Sequence, residues 1–208
     1  MWERVATRVG ILLRFESAAG WHDDEDRLPL CLLRYEQRIE LLPLLPPPLR
    51  HRRWELLFNT SEHGCSIKSI LSRCAGAGPT VILVRDRQGH VFGAFAAESW
   101  RQHPEPHFYG NGDSVLLSTW PKGFNSWRWN RESGSRSFQC AAIDFIAFGS
   151  GGHFGLWLDK SLSFGSTGRC ETYDNEPLTE HRVRGGLDEP HRGDSAFEVL
   201  EVQVWGFK

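Results

Sequence analysis

Little in this sequence advertises a reaction. The five cysteines, Cys31, Cys65, Cys74, Cys140 and Cys170, are widely spaced and form no CxxC pair, so they read as reduced, buried thiols of a cytosolic protein. His103 and His107 stand four apart, but Pro104 and Pro106 exclude the regular helix that a zincin ligand pair needs. His51, His63, His90, His153, His181 and His191 have no ligand spacing, so no metal site is expected. Gly149-Ser150-Gly151-Gly152 lacks the Lys-Ser/Thr and the helix of a P-loop, and no cofactor is expected. A formal net charge of −2 leaves no bulk attraction to nucleic acid or to an anionic membrane. The apolar run Val9 to Leu13 is too short to span a bilayer and is closed by Arg14. It also lacks a secretory cleavage site, Met1-Trp2 lacks the myristoylation glycine, and Gly206-Phe207-Lys208 is no prenylation box. The expectation is a cytoplasmic protein that meets membranes only through a partner.

What the chain does hold is aromatic residues, glycine and proline. Nine tryptophans and thirteen phenylalanines against one methionine point to an aromatic core of the kind that sheets build, and 21 glycines with 11 prolines agree. With 208 residues the chain can bury a real core as one large domain, with room for a modest extension.

The elements follow from periodicity. Residues 1 to about 37 read as an extension, partly flexible or helical, with an acidic cluster at Asp23-Asp24-Glu25-Asp26. Leu32, Leu33, Tyr35, Ile39 and Leu42 recur at helical spacing until Pro46-Pro47-Pro48 stops them, and Arg50-His51-Arg52-Arg53 follows as a solvated hinge. Trp54 to Phe58 is a strand. Ser66 is the expected N-cap of a short helix carrying Ile67, Ile70 and Leu71, which ends near Cys74. Pro79 to Val84 and Val91 to Phe95 form a hairpin about Asp86-Arg87-Gln88-Gly89. Strands are also predicted over Ser114 to Trp120, near Phe138 and over Ile143 to Phe148, with Trp127 and Trp129 on one face of Phe124 to Asn130. The glycine-rich turn Gly149 to Gly155 feeds the segment Leu156 to Asp159. Residues 180 to 195 are charged and read as an exposed excursion. Phe197 to Trp205 alternates apolar and polar, as a half-buried antiparallel strand does. The fold class is therefore mainly β with few short helices, arranged as two packed antiparallel sheets.

Several of these pieces, in order, resemble the TLDc domain of the oxidation-resistance protein family. They are Leu45-Pro46-Pro47, Trp54-Glu55-Leu56-Leu57-Phe58-Asn59-Thr60 and Gly64-Cys65-Ser66-Ile67, then Val81 to Asp86 with Phe92 to Phe95, then Phe108-Tyr109-Gly110-Asn111-Gly112-Asp113. Gly155-Leu156-Trp157-Leu158-Asp159, Gly165-Ser166 with Cys170, Thr172 and Asn175-Glu176, and Glu201-Val202-Gln203-Val204-Trp205 complete the match, over about residues 38 to 208. The resemblance implies a TLDc-type β-sandwich and a role in resistance to oxidative stress. It also implies binding to the cytosolic sector of the vacuolar-type proton ATPase, whose assembly or activity some members regulate, and a non-enzymatic regulatory module. No LysM or TBC module precedes the domain, so a nearly domain-only member is expected. Asp113 stands where the family usually has glutamate, Ser114-Val115-Leu116 is less aromatic than usual, and the excursion at 180–195 is longer.

Asp113, Glu176 and Glu201 lie in matching segments and are the candidate partner-binding residues; the plainer alternative has them pin glycine-rich loops by accepting backbone hydrogen bonds. Trp54, Gly110, Gly112, Gly155, Trp157, Asp159, Gly165 and Trp205 are the residues expected to build the fold. Cys65, beside His63 at the start of the short helix, is the one candidate reactive thiol, and no catalytic group is otherwise expected.

Overall fold

The computed structural model describes residues 31–180 and 195–208. Most of the expected extension and nearly all of the excursion at 180–195 lie outside the described residues. Helix α1 spans Tyr35–Leu41 and is followed by two 3₁₀ turns, Leu42–Leu44 and Pro47–Leu49. Strand β1 is Trp54–Asn59, α2 is Thr60–His63 and α3 is Ile67–Arg73. The hairpin is β2, Thr80–Asp86, with β3, Val91–Ala96. Then come β4 (Phe108–Tyr109), β5 (Val115–Ser118), β6 (Asn125–Arg128), β7 (Gln139–Ala141) and β8 (Phe145–Phe148). The chain continues through β9 (Leu156–Asp159), β10 (Phe164–Thr167) and β11 (Ser195–Phe207).

Local chemistry explains the short helices. The Ser66 hydroxyl accepts the Lys68 N–H at 3.2 Å and caps α3, which runs to Arg73 with Ile67 and Ile70 buried. Asn59 caps α2 in the same way, accepting the Ser61 N–H at 3.0 Å.

The strands form one antiparallel ladder in the order β4-β7-β8-β9-β10-β11-β2-β3-β5-β6, with β1 also on β11. Two separate sheets were expected, and the long β11 is what joins them. Its first residues, Ser195 to Glu198, pair with β10, whereas Val199 to Trp205 pair with β2 and Gln203 to Phe207 with β1. A first arm (β1, β2, β3, β5, β6) and a second arm (β4, β7, β8, β9, β10) thus grow from one strand.

Alternation assigns the faces. Ile82, Val84, Phe92, Ala94 and Leu116 of the first arm share a core with Ile146, Phe148, Leu156 and Leu158 of the second. Phe92 and Phe197 meet edge to face there, with ring centroids 4.8 Å apart. The opposite face of the first arm, with Val81, Leu83, Phe95, Val115 and Leu117, is buried under Leu33, Leu41 and Leu45. β11 is consequently buried on both sides over Val202 to Trp205, where a half-exposed strand was expected. Its polar Gln203 is fully buried and used: Oε1 accepts the Leu32 N–H at 3.1 Å and the Trp205 indole N–H at 3.0 Å.

Candidate functional site

The glycine-rich turn before β9 is held from one side by the segment Cys170 to Asn175. The Thr172 hydroxyl accepts the Ser150 N–H at 3.1 Å, and the Asn175 amide donates to the Gly168 and Glu176 carbonyls, each at 2.9 Å. Tyr173 is fully desolvated, which raises its phenol, and its hydroxyl donates to the Phe138 carbonyl at 3.0 Å. Gly155 must be glycine for space: a Cβ there would stand 2.6 Å from Leu116 Cδ1. Gly149 is needed for its backbone, with φ of 74°. The turn is thus buried at its two ends, Gly149 and Gly155, while its middle, with Gly152, reaches the surface.

The three candidate carboxylates do not meet. Asp113 is exposed just before β5, and only its backbone is engaged, donating to Asn111 Oδ1 at 2.9 Å. Glu176 is exposed in the loop after Asn175. Glu201 is half-buried on β11, ion-paired to Arg85, and accepts the Gln203 amide at 2.8 Å. β5 and β11 are separated by β2 and β3 in the ladder, and the register sets Glu201 level with the far end of β5, about six residues from Asp113, so the two carboxylates stand more than about 20 Å apart at the usual strand spacings. Among the described residues no group of three or more His, Cys, Asp or Glu is placed to hold a metal ion.

One carboxylate that does pin a loop is Asp159. It accepts the N–H groups of Ser163 at 2.8 Å, Phe164 at 2.9 Å and Ser161 at 3.3 Å, together with the Ser161 hydroxyl, and so fixes the β9–β10 turn. The other framework residues fall where packing needs them. Trp54 and Trp205 pack with centroids 6.3 Å apart in the layer under α1. Gly165 faces the Phe197 ring, Gly112 faces the Trp129 ring, and Gly110 has φ of 104°. Trp157 lies on the outer face of the second arm.

One polar cluster escaped the sequence reading. Asp86, fully buried at the end of β2, accepts N–H groups from Gln88 at 3.0 Å and His90 at 2.8 Å and the Thr179 hydroxyl at 2.8 Å; its second oxygen lies 3.2 Å from His90 Nδ1. The turn signal Asp86-Arg87-Gln88-Gly89 announced the hairpin, but the Thr179 contact joins residues 93 apart in sequence. It ties the far side of the Cys170–Asn175 loop to the hairpin.

The thiols divide by environment. Burial pushes Cys74 up to about 12 and Cys31 and Cys170 up to about 11, and it raises Cys140 as well. Cys65 is exposed, and its neighbour His63 is occupied, with Nδ1 accepting the Asn59 N–H at 3.0 Å. His103 and His107 have ring centroids 5.1 Å apart in an irregular loop. The Arg50–Arg53 segment is folded onto the first arm: Arg50 donates to the Leu45 carbonyl at 2.8 Å, and Arg53 exchanges backbone hydrogen bonds with Lys208.

Taken together, these contacts define a β-rich domain whose matching residues mostly build turns and joints, with its polar side chains spread over the surface. A sequence model of the TLDc domain matches residues 30–208, and the chain belongs to the TLDc domain family. It is 30% identical over 182 residues to oxidation resistance protein 1 of Bos taurus, covering 86% of this chain and 19% of that protein. It is 32% identical over 198 residues to the MTOR-associated protein MEAK7 of Danio rerio, covering 90% and 39%. Human nuclear receptor coactivator 7 is 28% identical over 203 residues, covering 93% and 20%. The chain therefore spans from about a fifth to two fifths of the length of the curated relatives it matches. No helix among the described residues is long and apolar enough to cross a membrane.

Proposed function

We propose that this chain is a non-enzymatic regulatory module of oxidative-stress resistance that binds the cytosolic sector of the vacuolar-type proton ATPase and modulates its assembly or activity. The observation that carries the reading is the TLDc match over residues 30–208, together with a relative named for oxidation resistance. The site geometry supports it: Asp113 and Glu176 are exposed and stand apart, as contact residues of a binding surface do, while Glu201 is committed to Arg85. A module of this kind shifts an assembly equilibrium only by binding one state more tightly than the other. In this reading the chain acts in the cytoplasm and meets the membrane through the ATPase alone.

The test is a pull-down of purified ATPase cytosolic sector, assembled and detached, by the full chain. Retention of one form over the other by at least several-fold is expected. Retention of neither form would remove the ATPase as partner.

A further inference from the structure

The first arm carries an arginine corner that ties the proline-rich turns to β6 and that the candidate carboxylates do not use. Arg50 Nη2 and Arg128 Nη2 both donate to the Pro43 carbonyl, each at 3.2 Å, although Arg128 comes from β6 and is 85 residues away from Pro43. Arg50 is further fixed through Nε on the Leu45 carbonyl at 2.8 Å. Two full positive charges are thus gathered within hydrogen-bond reach of one neutral oxygen, whose partial charge leaves their repulsion uncompensated. Arg52, exposed, is two residues from Arg50. Arg85, Arg87, Arg101 and Arg169 each have a carboxylate partner, whereas among the described residues Arg50, Arg52 and Arg128, like exposed Arg34, Arg73, Arg131 and Arg136, have none; what sets Arg50 and Arg128 apart is the acceptor they share. Each guanidinium has five N–H donors, and the described hydrogen bonds engage few of them, so a planar acceptor can still be taken at both forks.

We propose that this corner is the docking site for an acidic segment of a protein partner, with one Asp or Glu carboxylate bridging Arg50 and Arg128. The corner is small. The exposed Glu40 stands three residues before Pro43 and bounds it, so it suits isolated carboxylates better than a continuous phosphate backbone. Half-buried Leu44, Leu49 and Phe124 belong to the adjoining apolar layer and offer a seat for an apolar residue beside the acid. The proposal rests on reading the chain as a binding module, and not on the ATPase being the partner.

The experiment is fluorescence anisotropy on the full chain with a labelled peptide rich in Glu and Leu and with its Gln counterpart. The Glu peptide binds, and binding weakens with salt. Arg128→Gln, a change on an exposed edge strand, weakens it about tenfold, while Arg128→Lys recovers part of the loss because it keeps the charge without the fork. Arg87→Gln, which removes an exposed arginine paired with Glu198, leaves binding unchanged. Equal binding by Arg128→Gln, an equal loss in Arg87→Gln, or equal binding of the Gln peptide would each overturn the site. Displacement of the peptide by inorganic phosphate beyond the effect of salt at matched ionic strength would assign it to phosphate and overturn it too. A failed ATPase pull-down beside a positive peptide result removes only the ATPase.

Discussion

On the outer face of the first arm, α1 and the two 3₁₀ turns lay Leu33, Leu41 and Leu45 over Val81, Leu83, Phe95 and Trp205, and every one of these side chains is buried. On the outer face of the second arm, Phe108, Phe145, Phe154 and Trp157 surround only Cys140, Ala142 and Ala147, and the aromatics stay partly exposed. Ile143, in the β7–β8 connection, and Phe164, at the start of β10, are more than half exposed at 57% and 52%. The same alternation of side chains thus gives a third apolar layer on one arm and a thin aromatic skin on the other. What differs is the described segment before β1, residues 31–53, whose apolar side chains pack on the first arm.

The comparison breaks most readily at Leu41. Leu41→Ala removes a fully buried side chain from the cap and is expected to cost about 2–5 kcal/mol, whereas Trp157→Ala on the uncapped face costs about 1–2 kcal/mol despite deleting more atoms. Urea denaturation of both variants checks it, and equal losses would mean that the second face is covered in solution. Carboxylates sharpen the contrast at smaller scale. Asp159→Ala frees three backbone N–H groups of the β9–β10 turn and is expected to cost about 1–2 kcal/mol, while Asp113→Ala stays within about 0.5 kcal/mol. Thermal melts measure the difference, and a costly Asp113→Ala would show that its carboxylate serves the fold.

The smallest effect concerns the core shared by both arms, where Cys74 is pushed up to about 12 from 9.0. Above pH 9 the unfolded chain releases this proton and the folded chain keeps it, so ionisation favours unfolding and stability falls as pH rises from 9 towards 12. The contribution is about 1 kcal/mol by pH 10. Denaturation midpoints at pH 8.5 and 10 should converge for Cys74→Ala relative to the parent chain, and an unchanged slope would count against the assignment.

Short-range signals carried most of the elements. Ser66 announced α3, the Asp86–Gly89 turn announced the β2–β3 hairpin, and period-two alternation placed Trp127 and Trp129 against the core. What stayed hidden depends on partners distant in sequence. Glu201 meets Arg85, 116 residues earlier, and Asp86 meets Thr179, so neither role could be read from its own neighbourhood. The alternation in β11 looked half-exposed because nothing local reveals that α1 covers its polar side. For the same reason Arg50 read only as part of a hinge and Arg128 carried no signal, because only the fold brings β6 and the proline-rich turns together at Pro43.

The position of β11 bears on how the protein is made. Of the strands in this ladder it comes last in sequence, yet it lies inside, between β10 and β2 and against β1, with Trp54 paired to Phe207. Strands made earlier wait with open edges until it arrives, which is a route to slow folding and a window for aggregation. Loss of the last three strand residues, Trp205 to Phe207, would leave Trp54 to Leu56 of β1 without partners, whereas loss of the whole of β11 would part the two arms.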